Sequence, residues 1–127
     1  MSNAVELQID GLKDLLDEVS ASLLETQNLL LTWNGADAKP DTVDLLFRFF
    51  HNIKGTTGMF GLAVTQELFH NAESLLSVFR EKKLRPAEPV VQLFLDTLDE
   101  FQTITAHSLL HKAEPEDKPY VLMAKLT

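Results

Sequence analysis

Cysteine is absent from the 127-residue sequence, so neither a disulfide nor a thiolate metal site can form. No apolar run approaches the roughly 18 residues of a membrane-spanning helix, and we expect no membrane association. Acidic residues outnumber basic ones by 19 to 11, and the net charge of −8 argues against nucleic acid as a partner. Strand-like alternation, internal repeats and low-complexity tracts are also missing. These absences favour a helical protein located in the cytoplasm.

The hydrophobic residues, 45% of the chain, are numerous enough for one core in a single domain over residues 1–127. They recur every three, four or seven positions, which is typical of amphipathic helices. The pattern predicts helices at about 5–33, 41–58, 62–84 and 89–111, with a short fifth helix at about 118–126. Glycine, proline and polar segments separate these stretches. Four long helices joined by short loops predict an all-α, up-down four-helix bundle.

The stretch HNIKGTTGMFG, residues 51–61, combines a histidine, a lysine and three glycines. At about 100° per residue, His51, Lys54, Gly55 and Gly58 share one side of a helix. Each glycine inside a helix costs roughly 1 kcal/mol relative to alanine, so the missing side chains need a reason. The apolar residues of this helix lie about a third of a turn away. The pattern therefore predicts that the His51 ring stands at the edge of the core, where another molecule can reach it.

Imidazole has a pKa of about 6.5 in peptides, so at pH 7 it is mostly neutral and has one nucleophilic nitrogen. Because the second and third helices meet near Gly61, His51 and Glu73 should be level to within about 3 Å along the helix axes. A carboxylate that accepts a hydrogen bond from Nδ1–H would leave Nε2 free to accept a phosphoryl group. The ammonium of Lys54 would balance the incoming negative charge, and His70 lies one turn before Glu73.

The segments His51–Gly55 and Gly58–Gly61 resemble the signature of histidine phosphotransfer (HPt) domains, in particular the N-terminal phosphotransfer domain of CheA-type chemotaxis kinases. In that group a histidine and a glutamate follow on the next helix, and His70 and Glu73 occupy the matching spacings. The likeness also includes Leu46-Phe47-Arg48 and residues 91–97, and it extends weakly into the fifth helix. It therefore covers most of the chain.

The resemblance implies that His51 accepts a phosphoryl group from a kinase ATP-binding domain and passes it to an aspartate of a response-regulator receiver. Glu73 would orient His51, Lys54 would balance charge, and His70 would support this network. The domain would be a monomeric phosphoryl carrier of a two-component system, without kinase activity of its own. It would bind neither ATP nor magnesium and would need no cofactor or metal. It could be a separate protein or part of a CheA-type kinase.

Four residues near His51 are candidates for docking a partner. Gly55 and Gly58 would let a second molecule approach the ring closely. If Phe47 and Phe60 are exposed beside these glycines, they would give a partner helix an apolar surface on which to pack.

Two other functions remain open. The first is a helical docking module with the same fold that never carries phosphate. The second is a metal-binding bundle, which could use His51, His70 and Glu73, or the pair His107 and His111 spaced by four residues. Bundles that bind two iron ions need two Glu-x-x-His motifs, and this sequence has only one, Glu67-Leu68-Phe69-His70.

A cluster of basic residues near the predicted end of the third helix stands out in an acidic chain. Its members are Arg80, Lys82, Lys83 and Arg85. Cations near a helix C-terminus are favoured by the helix dipole, so a solvated helix end explains them. A docking role is the alternative.

Overall fold

The computed structural model describes residues 2–35, 39–59, 61–111, 114 and 119–126, and these form five helices with no strand among them. The helices are α1 (Ser2–Trp33), α2 (Thr42–Met59), α3 (Ala63–Lys82), α4 (Glu88–His111) and α5 (Tyr120–Leu126). Each of the four long helices packs against its neighbours around the bundle, and α5 packs against α3 and α4. The prediction of an all-α, up-down four-helix bundle with a short fifth helix is confirmed. None of the helices, searched over the described residues, has the length and hydropathy of a membrane span.

Aromatic side chains from three helices form the centre of the core. The ring centroid of Phe50 on α2 lies 5.4 Å from that of Phe69 on α3 and 5.5 Å from that of Phe94 on α4. All three side chains are fully buried. Phe69 also packs edge-on against Phe101 of α4 at 5.3 Å. Such pairs contribute about 0.5–1.5 kcal/mol each beyond the burial of apolar area. They fix the rotation of α2 and α3, and that rotation decides which residues reach the surface between these helices.

The turn between α2 and α3 reverses the direction of the chain, so the two helices pack side by side and antiparallel. Gly61 has φ of 72°, a left-handed conformation that glycine adopts without steric cost. Its N–H donates to the carbonyl of Gly58, and the N–H of Leu62 donates to the carbonyl of Thr57 at 2.9 Å. This is the Schellman arrangement, which satisfies the last carbonyls of α2 and buries the side chain of Leu62.

The N-terminus of α3 is capped from a distant part of the chain. Leu62 precedes the helix and has no side chain that could accept a hydrogen bond. The carboxylate of Glu114 accepts the backbone N–H of Val64 and of Thr65, each at 2.9 Å, and the Thr65 hydroxyl at 2.8 Å. A negative charge here is also favoured by the helix dipole. Glu114 therefore ties the segment between α4 and α5 to the start of α3.

We predict that Glu114→Ala lowers the free energy of unfolding by about 1–2 kcal/mol, because it removes this cap. Urea unfolding monitored by circular dichroism measures the change. Glu114→Gln should lose less, because its amide oxygen can still accept hydrogen bonds. Glu25→Ala, an exposed change of the same charge on α1, is the control and should stay within about 0.5 kcal/mol. Equal stabilities of Glu114→Ala and the control would contradict a capping role.

Candidate functional site

His51, Lys54 and Glu73 form a connected group on the surface between α2 and α3. The Nδ1 atom of His51 lies 3.3 Å from Oε1 of Glu73, and Nζ of Lys54 lies 2.9 Å from Oε2. The His51 side chain is 57% exposed, whereas that of Glu73 is only 14% exposed. In the tautomer with a proton on Nδ1, that N–H donates to the carboxylate and Nε2 keeps its lone pair. The exposed ring can then present Nε2 to a molecule that arrives from solvent.

The meeting of these residues follows from the regular antiparallel register of α2 and α3. Contacts between the two helices recur at every seventh residue, forward along α2 and backward along α3. The pairs that meet are Asp44 with Arg80, His51 with Glu73, and Gly58 with Gln66. Seven residues span about two helical turns, so the successive contact residues lie on the same face of each helix. The sequence spacing thus places the carboxylate level with the imidazole once the helices pack.

The pKa of Glu73 is set by burial and by its two basic neighbours. Burial alone raises this pKa, because it penalises the charged carboxylate. The hydrogen bonds from Lys54 and His51, together with their positive charge, act in the opposite direction and prevail. The net pKa of Glu73 lies below its usual value of 4.5. The carboxylate therefore stays ionised near neutral pH, as an acceptor for Nδ1–H must.

Phe47 supports the His51 ring from one turn earlier on α2. The two rings are nearly parallel, with 12° between their planes and 6.0 Å between centroids. The guanidinium of Arg80 lies 4.6 Å from the Phe47 centroid, and its Nε donates to Asp44 at 2.8 Å. Phe47 is half-buried by these contacts. Its ring therefore flanks His51 and is only partly accessible to a partner. The periodicity of the sequence did not predict the contact with Arg80.

The two helical glycines have different surroundings. A Cβ atom at Gly55 would meet nothing within 4 Å, so this position is open to solvent. A Cβ atom at Gly58 would collide with the side-chain amide of Gln66 on α3. Gln66 is exposed and flexible, so it can move aside. Of the two glycines that the sequence places beside His51, Gly55 leaves open space through which another molecule can approach the ring. Gly58 leaves space that the side chain of Gln66 occupies.

His70 stands apart from the carboxylate. It is exposed and lines a shallow groove with Lys54 and Gln66. Among the residues that the structure describes, no hydrogen bond joins its ring to His51 or Glu73. The structure thus places His70 in the groove beside Lys54, and its supporting role stays a prediction. Phe60, the other predicted docking residue, lies outside the described residues.

The metal-binding alternatives gain no support from the structure. No group of three or more His, Asp or Glu side chains in the described part of the chain is arranged to hold a metal ion. The side chain of His111, one half of the predicted pair with His107, lies outside the described residues.

Comparisons with known proteins give one consistent relationship. The model of the Hpt domain family matches residues 10–104. The chemotaxis protein CheA of Rhizobium meliloti (strain 1021) is 31% identical over 100 residues, which are 78% of this chain and 13% of that protein. CheA of Klebsiella aerogenes is 29% identical over 109 residues, which are 85% of this chain and 17% of that protein. The chain thus spans less than a fifth of these curated relatives.

A solved structure shares the fold. It is the phosphorylated P1 domain of CheA3 from R. sphaeroides, crystallised in complex with CheY6. The TM-score is 0.75, and the superposition covers 99% of this chain and 94% of that domain at 24% sequence identity. At this identity the likeness concerns the arrangement of the helices.

We predict that Lys54→Met raises the pKa of Glu73. Burial raises this pKa, and the variant lacks one of the two basic groups that lower it. A carbon-detected NMR titration of the glutamate carboxyl groups measures this shift. Lys82→Met removes the same charge from an exposed position on α3 and should leave Glu73 unchanged. A Glu73 titration that is the same in wild type and Lys54→Met would show that the ion pair is not formed in solution.

The lowered pKa of Glu73 also predicts a pH dependence of stability. Its contribution to the free energy of unfolding is fully present above the unfolded-state pKa near 4.5 and is lost as pH falls through the lower folded-state value. Glu73→Gln should therefore flatten the decline in stability below pH 4.5 relative to wild type. Urea unfolding at a series of pH values tests this. Parallel curves for the two proteins would contradict it.

Proposed function

The chain belongs to the Hpt domain family, and from this membership and the geometry of its site we propose that His51 is the phosphoacceptor of a two-component phosphorelay. The observation that carries the proposal is the exposed His51 ring, whose Nδ1 lies 3.3 Å from an ionised carboxylate, so that Nε2 takes no part in this contact. A docking module that never carried phosphate would have no need for this hydrogen bond. The relationship to CheA proteins supports a place in a chemotaxis-type pathway.

In the proposed first step, Nε2 of His51 attacks the γ-phosphorus of an ATP that is bound to a kinase domain. The Nε2–P bond forms, the bond from phosphorus to the bridging oxygen breaks, and ADP leaves with that electron pair. The ring gains positive character, and the Glu73 carboxylate stabilises it through Nδ1–H. Preorganisation matters here because phosphoryl transfer depends mainly on positioning and charge stabilisation.

In the second step, a carboxylate oxygen of a receiver aspartate attacks the phosphorus and the Nε2–P bond breaks. The electron pair returns to Nε2, so the neutral ring is regenerated for another cycle. Lys54 is 24% exposed and holds Oε2 of Glu73. It keeps the carboxylate in place through both steps and puts a positive charge near the phosphoryl group.

The proposed partners are a kinase ATP-binding domain and a response-regulator receiver, both of which must reach the same ring. The complex of the related P1 domain with CheY6 supports the receiver as a partner. The open surface at Gly55 gives either partner space beside His51. We further propose that the isolated domain acts as a monomer in the cytoplasm.

We predict that His51→Gln abolishes phosphoryl acceptance and leaves the helical fold intact, because the side chain is exposed. The protein is incubated with a CheA-type kinase and radiolabelled ATP, and acid-labile, alkali-stable label is measured. His70→Gln is the matched control, since His70 is an exposed histidine on the adjacent helix and should still accept phosphate. Label on the His51 variant at the wild-type rate would show that another residue accepts the phosphate. No label on the wild-type protein would leave the docking module as the better function.

We also predict that Gly55→Leu slows phosphotransfer at least tenfold while it raises stability. Leucine is favoured over glycine inside a helix by up to about 1 kcal/mol, and nothing lies within 4 Å of the added Cβ. Asn52→Leu adds a leucine at an exposed position of the same helix and is the control. Transfer rates and urea unfolding are measured for both variants. Normal transfer by Gly55→Leu would show that partners approach His51 from another side.

A further inference from the structure

A cleft of about 540 Å³ lies where the C-terminus of α1, the N-terminus of α2 and the C-terminus of α3 meet. Its apolar lining includes Trp33 and Phe79, whose rings pack edge-on at 5.5 Å, together with Val43 and Leu84. Leu84 is 49% exposed, which is unusual for a leucine next to a tryptophan and a phenylalanine of the core. The cleft therefore offers an apolar floor that is open to solvent.

The rim of this cleft is basic, although the chain as a whole is acidic. Its charged residues are Lys39, Asp44, Arg80, Lys83 and Arg85. Asp44, the one acid among them, is paired with Arg80 at 2.8 Å. Among the residues that the structure describes, no carboxylate lies within ion-pair distance of the other three cations. Three cations without an ion-pair partner in the described part of the chain thus surround an apolar floor in a protein with a net charge of −8.

The helix dipole explains only part of this cluster. Arg80 and Lys83 lie at the C-terminal end of α3, where a positive charge is favoured. Arg85 lies beyond the end of α3 and Lys39 comes from the segment before α2, so two separate parts of the chain bring charge to one place. Lys83 also has φ of 52°, and its N–H donates to the carbonyl of Phe79. Glycine would occupy this left-handed position without the steric cost that lysine bears.

We propose that this cleft docks an acidic segment of a protein partner that inserts one apolar side chain between its carboxylates. The carboxylates would pair with Lys39, Lys83 and Arg85, and the apolar side chain would cover Leu84 and the edge of Trp33. Charge complementarity selects this occupant, because a neutral apolar peptide would leave the cations unpaired and a basic one would be repelled. Asp44 precedes His51 by two helical turns, so the docked segment sits about 10 Å along α2 from the imidazole.

The proposal does not depend on phosphotransfer, because it concerns binding at residues outside the His51 group. The test is a titration of the whole unphosphorylated protein with a blocked pentapeptide that has phenylalanine between two pairs of glutamates. Trp33 is the sole tryptophan of the chain, so its fluorescence reports directly on the cleft. We expect saturable binding below about 2 mM that weakens as salt is added. No change in fluorescence and none in amide NMR shifts up to that concentration would overturn the proposal.

Two control peptides separate the two kinds of contact. Replacing phenylalanine by alanine should weaken binding several-fold, and replacing the glutamates by lysines should abolish it. Equal binding of either control would overturn the proposed mode of recognition. An oligothymidylate of five nucleotides and phosphatidylserine vesicles are tested in the same way. Tighter binding of either one than of the acidic peptide would overturn a protein segment as the occupant.

Charge reversal at the rim completes the test. Lys39→Glu with Arg85→Glu should weaken peptide binding at least tenfold. The matched control is Lys13→Glu with Lys125→Glu, which makes the same change of charge at exposed positions that do not line the cleft. Circular dichroism verifies that both proteins stay folded. Equal losses in the two double variants would show that net charge, and not the cleft, determines binding, and would overturn the proposal.

Discussion

The antiparallel register between α2 and α3 is the constraint on which the rest of the site depends. The Schellman turn at Gly61 fixes how the two helices are connected, and the aromatic core around Phe50 and Phe69 fixes how they are rotated. A slip of one residue would turn the imidazole about 100° away from the carboxylate. Glu114 adds to this control, because it caps the start of the helix that carries Glu73. A turn, a buried core and a cap from a distant segment therefore together determine which side chains lie beside His51.

The electrostatic balance at Glu73 links this fold to reactivity. A carboxylate that is 14% exposed loses much of its hydration, and that loss is acceptable only if nearby donors replace the lost water. Lys54 and His51 are those donors. The same contacts that allow the carboxylate to be buried place it beside Nδ1 of His51, where it favours the tautomer with a free Nε2. The stability of the charged group and the readiness of the proposed nucleophile thus come from one arrangement.

The surface of α2 connects the candidate phosphotransfer site to the basic cleft. Asp44 and Arg80 belong to the rim of the cleft, and Arg80 rests on the ring of Phe47, which stacks on His51. Exposed ion pairs contribute little to stability, so the Asp44–Arg80 pair matters more for the direction of the guanidinium than for the free energy of folding. A partner bound at the cleft would contact α2, which is also the helix that carries His51. The two surfaces can act as neighbouring parts of one interface.

The sequence by itself determined the helices, the bundle and the pairing of His51 with Glu73, because helical periodicity and distance from a turn are local properties of the chain. It also placed Lys54 and both glycines on the side of His51, since spacing along one helix defines a common face. Only the tertiary structure distinguished open Gly55 from Gly58, and only it placed His70 in a groove beside Lys54. The Phe47–Arg80 contact and the cap from Glu114 also required it. These features depend on how segments tens of residues apart are rotated and packed against one another. Packing of the whole core sets that arrangement, so no local sequence pattern predicts it.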